Sequence, residues 1–521
     1  MKKCIALILS FMMLLSITAC SGDKTNQGNN SSEYKDEIIV ARASDADTFD
    51  PQISNGGTSD ALVMLLYSSM LKFDENGEVS PDLVVDWSVA EDQKTWTFKL
   101  REGVKFHNGK ELTSEDVKAT FDRAMNSEGG LRATQLLEMF EKVEAVDKYT
   151  VKITTEQPYG AMLALLCNLQ IMDADYIEKY GMNIGNDVEA INGTGPYKFV
   201  EWEPDQEIVL ERFDDYYGDK ALTKTYKMMI IPEAASRIIA LETGEVDITD
   251  IPSDEIERMK NTEGFKIEQQ RSTGQRCFRF GCNDPIMSNT KVRQAILYAI
   301  DRQAIINSLY KGIAEPTTAP FTPAVWGYAN LGEIKQDQAK AKALLAEAGY
   351  PNGFDTKVVT TAQYSKGTQL AEVIVAQLKE VGINATIEVL EWSTFIAITD
   401  GITADEFDAP IFIMGTGPSM RDTDNSFRGL YATSKSGIND LNYGFYSNAE
   451  LDKLAEEQMS ETNPEKRKEI LKRAQEIIYL EDPAAFWIYD QVITVAMSDK
   501  VEGAKVDLSG YVLPQTIKIR K

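Results

Sequence analysis

Histidine and cysteine, the side chains that most often carry out catalysis or bind metals, are scarce in this chain. Its 521 residues include one histidine, His107, and five cysteines. A serine or cysteine triad needs a histidine with a free partner, and histidine-based zinc sites need several. His107 stands in KFHNGK, whose Asn-Gly pair predicts a hairpin. No GxSxG, P-loop or HExxH motif is present, so the sequence predicts no catalytic residue, no metal site and no cofactor.

Two of the cysteines lie in the first twenty residues. Lys2 and Lys3 precede a mostly apolar run that closes on Ile17-Thr18-Ala19-Cys20, the pattern of a signal peptide with small residues before its cleavage site. The cysteine directly after the small residues resembles a bacterial lipoprotein signal, which implies that Cys20 is lipidated. A plain signal peptide with an incidental Cys20 is the alternative. We therefore predict a signal peptide at 1–19 and, from the polar composition that follows, a lipidated flexible tether at 20–35.

The other cysteines are Cys167, Cys277 and Cys282. An odd number outside the cell cannot all pair within one chain. Cys277 and Cys282 are five residues apart in a strand-like segment, so they point to opposite faces and cannot bridge within it. One long-range disulfide and three buried thiols both remain open.

The composition predicts a soluble, multi-domain body. Apolar residues make up 43% of the chain, enough for sizeable cores, and the length suggests two to four domains. With 54 basic and 81 acidic side chains the net charge is −27. Such a surface repels phosphate backbones, so we exclude nucleic acid as a partner.

Strand and helix patterns alternate along the chain, which favours α/β lobes. We predict strands at 37–41, 95–100, 149–154, 197–202 (paired with 207–212) and 383–389. Helices are predicted at 60–71, from a Thr113 cap to about 125, over 292–310, 339–348 and 370–380, and from Pro464 to before Pro483.

Five segments together resemble the family 5 extracellular solute-binding proteins, the dipeptide- and oligopeptide-binding components of ABC importers. The strongest is DWSVAEDQKTWTFKLREGVKFHNGKELTSEDVKATFDRAM at 86–125. The others, in order, are NGTGPYKFVEWEPDQEIVLERFDDYYG, PEAASRIIALETGEVDI, NTKVRQAILYAIDRQAII and AKALLAEAGYPNGF. The resemblance runs from about residue 38 to the C-terminus.

The resemblance implies an α/β, two-lobe periplasmic-binding-protein-like fold (type II, cluster C) with an extra subdomain inserted in the first lobe. Lobe I would comprise 36–70, 193–274 and 493–521. The inserted subdomain would be 71–192, and lobe II would be 275–492. The ligand would be buried as the lobes close, without covalent chemistry.

The resemblance also implies ligand contacts. In peptide-binding relatives the ligand bonds main-chain groups on both sides. One side would be the loop at Gly57, Thr58 and Ser59, where an ordinary turn is the alternative. The other would be the stretch holding Gly417 and Ser419. Trp392 matches a pocket tryptophan of the family, with core packing as the alternative.

The chain departs from the family at the aspartate that holds the peptide's amino group, a position that Met420 occupies. Asp422 or Asp424 could take that role, with Arg421 holding a carboxylate, because buried ligand charges need partners. The alternative is that these charges pair with each other at the loop surface. The departure leaves modified peptides, glutathione-like ligands and sugars open.

We therefore predict a monomeric, lipid-anchored, extracytoplasmic receptor of an ABC importer. It would capture short peptides and deliver them to a permease driven by ATPase subunits. It would lie on the outer face of the cell membrane, or in the periplasm where an outer membrane is present. The alternatives are a receptor for another solute (a glutathione-like peptide, an oligosaccharide or a metal chelate), a secreted hydrolase and a peptide-signal sensor.

Overall fold

The structure is a computed structural model. It describes residues 33–54, 57–74, 77–126, 137–185, 187–311, 313–364, 366–399, 401–417, 421–439, 441–508 and 511–521. Cys20, the predicted signal peptide, Ser419 and Met420 lie outside the described residues.

The helices follow one another along the whole described chain. They are α1 Gly57–Leu66, α2 Ser114–Met125, α3 Met162–Leu166, α4 Ala174–Tyr180, α5 Ala234–Thr243, α6 Ile256–Lys260, α7 Thr290–Ala299, α8 Arg302–Tyr310, α9 Gln338–Glu347, α10 Gly367–Glu380, α11 Trp392–Thr399, α12 Thr423–Tyr431, α13 Ala449–Ser460 and α14 Pro464–Glu476.

The strands are short except for two near the middle and the end of the chain. They are β1 Glu37–Arg42, β2 Leu71–Phe73, β3 Val79–Pro81, β4 Val84–Val89, β5 Thr95–Leu100, β6 Phe140–Asp147, β7 Thr150–Thr155, β8 Tyr197–Glu203, β9 Glu207–Arg212, β10 Thr225–Ile230, β11 Ile248–Asp250, β12 Phe265–Phe280, β13 Glu315–Pro316, β14 Phe354–Thr361, β15 Ile383–Leu390, β16 Ile411–Thr416, β17 Ala485–Ser498, β18 Val501–Glu502, β19 Lys505–Val506, β20 Val512–Leu513 and β21 Lys518–Ile519.

One large mixed sheet carries most of the chain. Its order is β15-β14-β16-β12-β17-β11-β1-β10-β9-β8. The antiparallel pair β12 and β17 is central and is shared by both halves of the sheet. A separate antiparallel sheet, β4-β5-β7-β6, lies within 84–155.

The buried apolar side chains form separate cores. One core uses only residues from 277 to 489, a second only residues from 70 to 171, and the remaining large one combines 38–67, 191–248 and 495–519. This arrangement is the two-lobe α/β fold expected from the sequence. The exact lobe boundaries stay a prediction.

The long strands change register where the halves meet. Arg271 pairs with Val492 and Gln275 pairs with Asp490, so three residues of β12 face one residue of β17. Such a bulge bends the strand and leaves the extra residues outside the ladder. The bulge, Ser272 to Gly274 opposite Gln491, is therefore the place where the two halves join.

Local sequence signals explain several helix ends. Thr113 and Asp116 form a capping box at the start of α2, as predicted. The predicted helix at 292–310 is wrong in one respect, because it is two helices. Asp301 interrupts it and caps α8 by accepting from the Ala304 amide at 2.9 Å.

Two other predicted boundaries shift. The helix predicted at 60–71 begins at Gly57 and ends at Leu66, and Leu71 already belongs to a strand. The predicted tether is too long, since Lys35 donates its amide to the Ile519 carbonyl at 2.8 Å and pairs with Asp247 at 3.1 Å. The last tether residues therefore dock on the folded body.

Candidate functional site

The loop that begins at Arg421 lies between the lobes. Arg421 adopts a left-handed φ of 51°. Its Nη2 atom donates to Asp507 Oδ2 at 2.6 Å, and its guanidinium lies 5.4 Å from the Phe73 ring centroid. Asp507 belongs to the predicted lobe I and Phe73 to β2. Arg421 thus joins lobe II to the other half of the molecule. The carboxylate that it binds in this structure is that of Asp507.

Asp422 is buried and fully engaged. It caps α12 by accepting from the Asp424 amide, and it forms a two-point ion pair with Arg467 at 2.8 and 2.6 Å. Burial favours the neutral arginine, but the Asp422 charge outweighs it and raises the pKa of Arg467. The ion pair fixes the start of α12 to α14.

Asp424 is completely buried and joins lobe II to the inserted subdomain. It accepts hydrogen bonds from Arg428 Nε at 2.9 Å, Gln458 Nε2 at 2.5 Å and Tyr159 Oη at 3.0 Å. Burial opposes ionisation, yet Arg428 holds the pKa of Asp424 below its usual range. Beside it, the Gly160 amide donates to the Met459 carbonyl at 2.8 Å.

These contacts differ from both hypotheses for the charged loop. Its acids pair with arginines elsewhere in lobe II, rather than with each other at the surface. Arg421 pairs across the lobes with Asp507. A ligand role for Arg421, Asp422 and Asp424 stays a prediction, and the structure gives all three a structural role.

The loop at the start of α1 is held by hydroxyl groups. Thr58 Oγ1 donates to the Ser44 carbonyl at 3.0 Å, and Ser59 Oγ bonds the Asp47 carboxylate and accepts from the Asp47 amide at 2.9 Å. Both side chains are buried, whereas Gly57 is exposed. Gly57 therefore leaves its main chain accessible, and Thr58 and Ser59 fix the turn.

On the lobe II side, Gly417 follows β16 and packs against the bulge. A Cβ at this position would lie 3.1 Å from the Gly274 Cα atom and 3.3 Å from the Thr273 carbonyl oxygen. Its glycine identity therefore lets the chain pass close to the junction of the lobes. Contact between Gly417 or Ser419 and a ligand stays a prediction.

Trp392 forms the outer part of an aromatic cluster. It is 38% exposed, stacks on Phe395 with ring centroids 6.0 Å apart, and meets the Tyr364 ring edge-on at 5.7 Å. A large exposed indole beside buried rings suits a binding surface better than a core. Its ligand contact stays a prediction.

Sequence reasoning missed Arg276, which lies directly inside this cluster. Its guanidinium stacks over the Tyr364 ring at 4.1 Å from the centroid. Across the ladder from Arg276 are Gly415 on β16 and Tyr489 on β17. A Cβ at Gly415 would lie 3.2 Å from Arg276 Nη1, so glycine leaves room for the guanidinium. The signal was an arginine among the apolar residues of CFRFGC and its neighbours.

The loop after β11, which belongs to the other half of the molecule, contacts this cluster from one side. Lys366, two residues after Tyr364, bonds the Asp254 carboxylate at 3.1 Å and the Ser253 hydroxyl at 3.4 Å. At the bulge, Asp490 accepts from Gln275 at 2.7 Å and pairs with Arg271 at 2.6 Å, while burial raises its pKa to about 6. The cluster thus lies where the two halves face each other.

His107 has the structural surroundings of a hairpin residue. Its Nε2 atom lies 3.1 Å from the Gly195 carbonyl, and its ring packs edge-on against Phe213 at 5.0 Å. Burial lowers its pKa to about 4, so it is neutral at physiological pH. Cys167, Cys277 and Cys282 are free thiols, and Cys282 lies beyond the end of β12.

Comparison with known proteins identifies the class of this two-lobe molecule. The family model described as bacterial extracellular solute-binding proteins, family 5 middle, matches residues 78–437. The chain belongs to this family. Within the part of the chain that the structure describes, no helix is both long and apolar enough to cross a membrane.

Particular relatives cover nearly the whole chain. The glutathione-binding protein GsiB of Salmonella typhi is 29% identical over 92% of this chain and 93% of its own. Helicobacter pylori DppA, solved with the peptide STSA, is 27% identical with a TM-score of 0.78 over 94% of this chain and 99% of its own. A putative peptide-binding protein AppA from Clostridium difficile is 26% identical with a TM-score of 0.83, over 93% of this chain and all of its own.

Proposed function

We propose that this protein is the extracytoplasmic substrate-binding receptor of an ABC importer and that it captures short peptides or peptide-like solutes between its lobes. Membership of the solute-binding family carries this proposal. The described structure adds a two-lobe body with a β-bulge at the junction and an aromatic surface beside it. Binding and lobe closure, without covalent chemistry, are the whole of the proposed mechanism.

The relatives support this ligand class in two forms. One relative is named for glutathione and others for peptides, and a structure is solved with a bound tetrapeptide. An extended peptide could add its main chain to the exposed backbone near Gly57 and near Gly417, as in strand addition. The ligand contacts of Thr58, Ser59, Ser419 and Trp392 belong to this proposal.

Thermal unfolding with added solutes tests the ligand class. A ligand that binds only the folded protein raises the melting temperature by linkage, about 2.7 kcal/mol of stabilisation at a hundred times the Kd. We expect shifts with short peptides or glutathione and none with maltose oligosaccharides. A shift with oligosaccharides or nickel–histidine chelate alone would overturn the proposed ligand class and leave the receptor role standing.

The proposal includes a lipid anchor at Cys20. It is supported by the sequence pattern at 1–20. Metabolic labelling with a fatty-acid analogue should mark the parent protein and not Cys20→Ala. A soluble chain beginning at residue 33 should bind the same peptides, because the folded body starts near Tyr34. Labelling of Cys20→Ala would contradict the anchor.

The proposal also includes a monomeric receptor that works with a membrane permease and ATPase subunits. Uptake of a labelled peptide by cells with and without the gene would test delivery. Loss of uptake with the permease intact supports an importer. Unchanged uptake together with a lost transcriptional response to the peptide would favour the sensor.

A further inference from the structure

Arg276 is a buried cation without an acid. Its side chain is 8% exposed, and no carboxylate of the described residues forms an ion pair with it. Nor does any described residue accept a hydrogen bond from its Nε or Nη1 atom. Two other buried arginines also form no ion pair with a described residue, but both donate to main-chain carbonyls: Arg279 to Leu430, and Arg302 to Trp487 and Ile334.

A buried guanidinium without an ion-pair partner is stabilised when an anion binds to it. A buried charge costs several kcal/mol unless it is paired and hydrogen-bonded. Stacking on Tyr364 satisfies the face of the guanidinium and leaves its Nε and Nη1 atoms without an acceptor among the described residues. Each of these two donors can form a charge-assisted hydrogen bond to a carboxylate oxygen.

The residues around Arg276 connect it to the surface between the lobes. Across the ladder, Gly415 accommodates the guanidinium, since a Cβ there would lie 3.2 Å from Arg276 Nη1. Tyr364 separates the guanidinium from Trp392, the exposed ring at the rim. The arginine therefore lies at the inner end of an aromatic surface that opens to solvent between the lobes.

The acids of the nearby loop do not compete for this role. Asp422 and Asp424 are already bound to Arg467 and Arg428, and Asp490 to Arg271. These three acids are bound to protein cations, whereas Arg276 forms no ion pair with a described residue. A ligand with a carboxylate supplies what is missing.

We infer that Arg276 binds a carboxylate of the solute and that the receptor selects anionic ligands, peptides or peptide-like acids with a free carboxylate. The inference rests on the proposed function and adds the charge of the ligand to it. It differs from recognition of a free amino group, which the loop acids would have provided.

Matched peptide pairs test the inference. Di- and tripeptides are prepared with a free C-terminal carboxylate and as the C-terminal amide, with reduced glutathione as a further probe. Calorimetric titration of the parent protein should show each acid binding at least about 30-fold more tightly than its amide, the loss expected when a buried charge pair lacks one partner.

Substitutions test whether Arg276 is the residue that binds the ligand carboxylate. Arg276→Met should bind acid and amide within about twofold of each other, and Arg276→Lys should retain part of the preference because it keeps the charge and loses the fork. Arg279→Met, on the same strand but facing the other side, should keep the full acid preference. Each preference is a ratio within one variant, so a difference in stability does not obscure it.

The outcomes separate the two proposals. Equal binding of acids and amides by the parent protein overturns the role of Arg276 and leaves the peptide receptor standing. An acid preference that survives in Arg276→Met also overturns it. Absence of binding by every acid, every amide and glutathione overturns the proposed function and this inference with it.

Discussion

The charged loop at 421–424 follows β16 in the chain, Arg276 pairs with a residue of that strand, and both place charge in the protein interior. In the loop every charge has a protein partner: Arg467 for Asp422, Arg428 for Asp424 and Asp507 for Arg421. Arg276 stacks on Tyr364 and forms no ion pair with a described residue. Buried charges that are paired hold a structure together, whereas one that is left unpaired is available to a ligand.

The largest expected effect is the removal of the Asp422 carboxylate. Asp422→Ala leaves Arg467 buried and unpaired, so we expect a loss of about 3–5 kcal/mol in the free energy of unfolding. Urea unfolding followed by circular dichroism measures it. Adding Arg467→Met should restore part of the loss, since no uncompensated charge then remains.

The control for this prediction is an exposed ion pair on α14. Glu465→Ala breaks the pair with Lys468 and should change the free energy of unfolding by about 1 kcal/mol or less. An Asp422→Ala loss as small as this one would mean that the loop charges are not structural. The contrast with Arg276 would then fail.

The next effect is on the contact between the inserted subdomain and lobe II. Tyr159→Phe removes a hydrogen bond to the buried Asp424 carboxylate, which we expect to cost about 1.5–3 kcal/mol. Exchange of the Gly160 amide, which bonds Met459 across this contact, should become faster.

Tyr149→Phe is the matched control, because Tyr149 also donates to a carboxylate, that of Glu111, but within the subdomain. It should leave exchange at Gly160 unchanged. Equal exchange rates in all three proteins would show that Asp424 does not hold the two parts together.

A smaller effect is expected from the pair that crosses between the lobes. Arg421→Ala removes the contact with Asp507 and favours open lobes, so peptide affinity should fall about fivefold to tenfold without loss of the fold. Calorimetric titration measures it, and Arg421→Lys should retain most of the affinity. A loss of about 30-fold or more would instead indicate that Arg421 meets the ligand directly.

The smallest effect is predicted for the stability of the ligand-free protein when the unpaired charge is removed. Arg276→Met removes the burial cost of an unpaired cation and also the stacking of that cation on Tyr364, so the two contributions offset and the free energy of unfolding should change by about 1 kcal/mol or less, in either direction. Thermal and urea unfolding without peptide measure this. A loss comparable with that of Asp422→Ala would show that Arg276 has a structural partner after all.

The fold was accessible from the sequence because its signals are local. Alternation at 95–100, the Thr113 cap and the hairpin of β8 with β9 each depend on neighbouring residues. The break at Asp301 was missed because the apolar stripe continues on both sides of it. A capping aspartate within such a stripe is a weak signal.

The site was harder to predict for a physical reason. Which acid binds which base depends on residues far apart in the chain, such as Asp422 and Arg467 or Arg421 and Asp507. A charge-rich motif stands out in a sequence whether or not its charged side chains form ion pairs in the folded protein. Arg276 could have been noticed only as one of two arginines, with Arg279, in the buried end of β12.

The register shift between β12 and β17 has a mechanical consequence. Ser272 to Gly274 have no ladder partner on β17, so a change of angle at this point need not break an interstrand hydrogen bond. We expect this junction to bend more readily than the regular ladder on either side of it, so that the preferred angle depends on two contacts elsewhere, Arg421 with Asp507 and Tyr159 with Asp424. Substitutions in these two contacts should therefore change the resting angle between the lobes and leave the bulge itself intact.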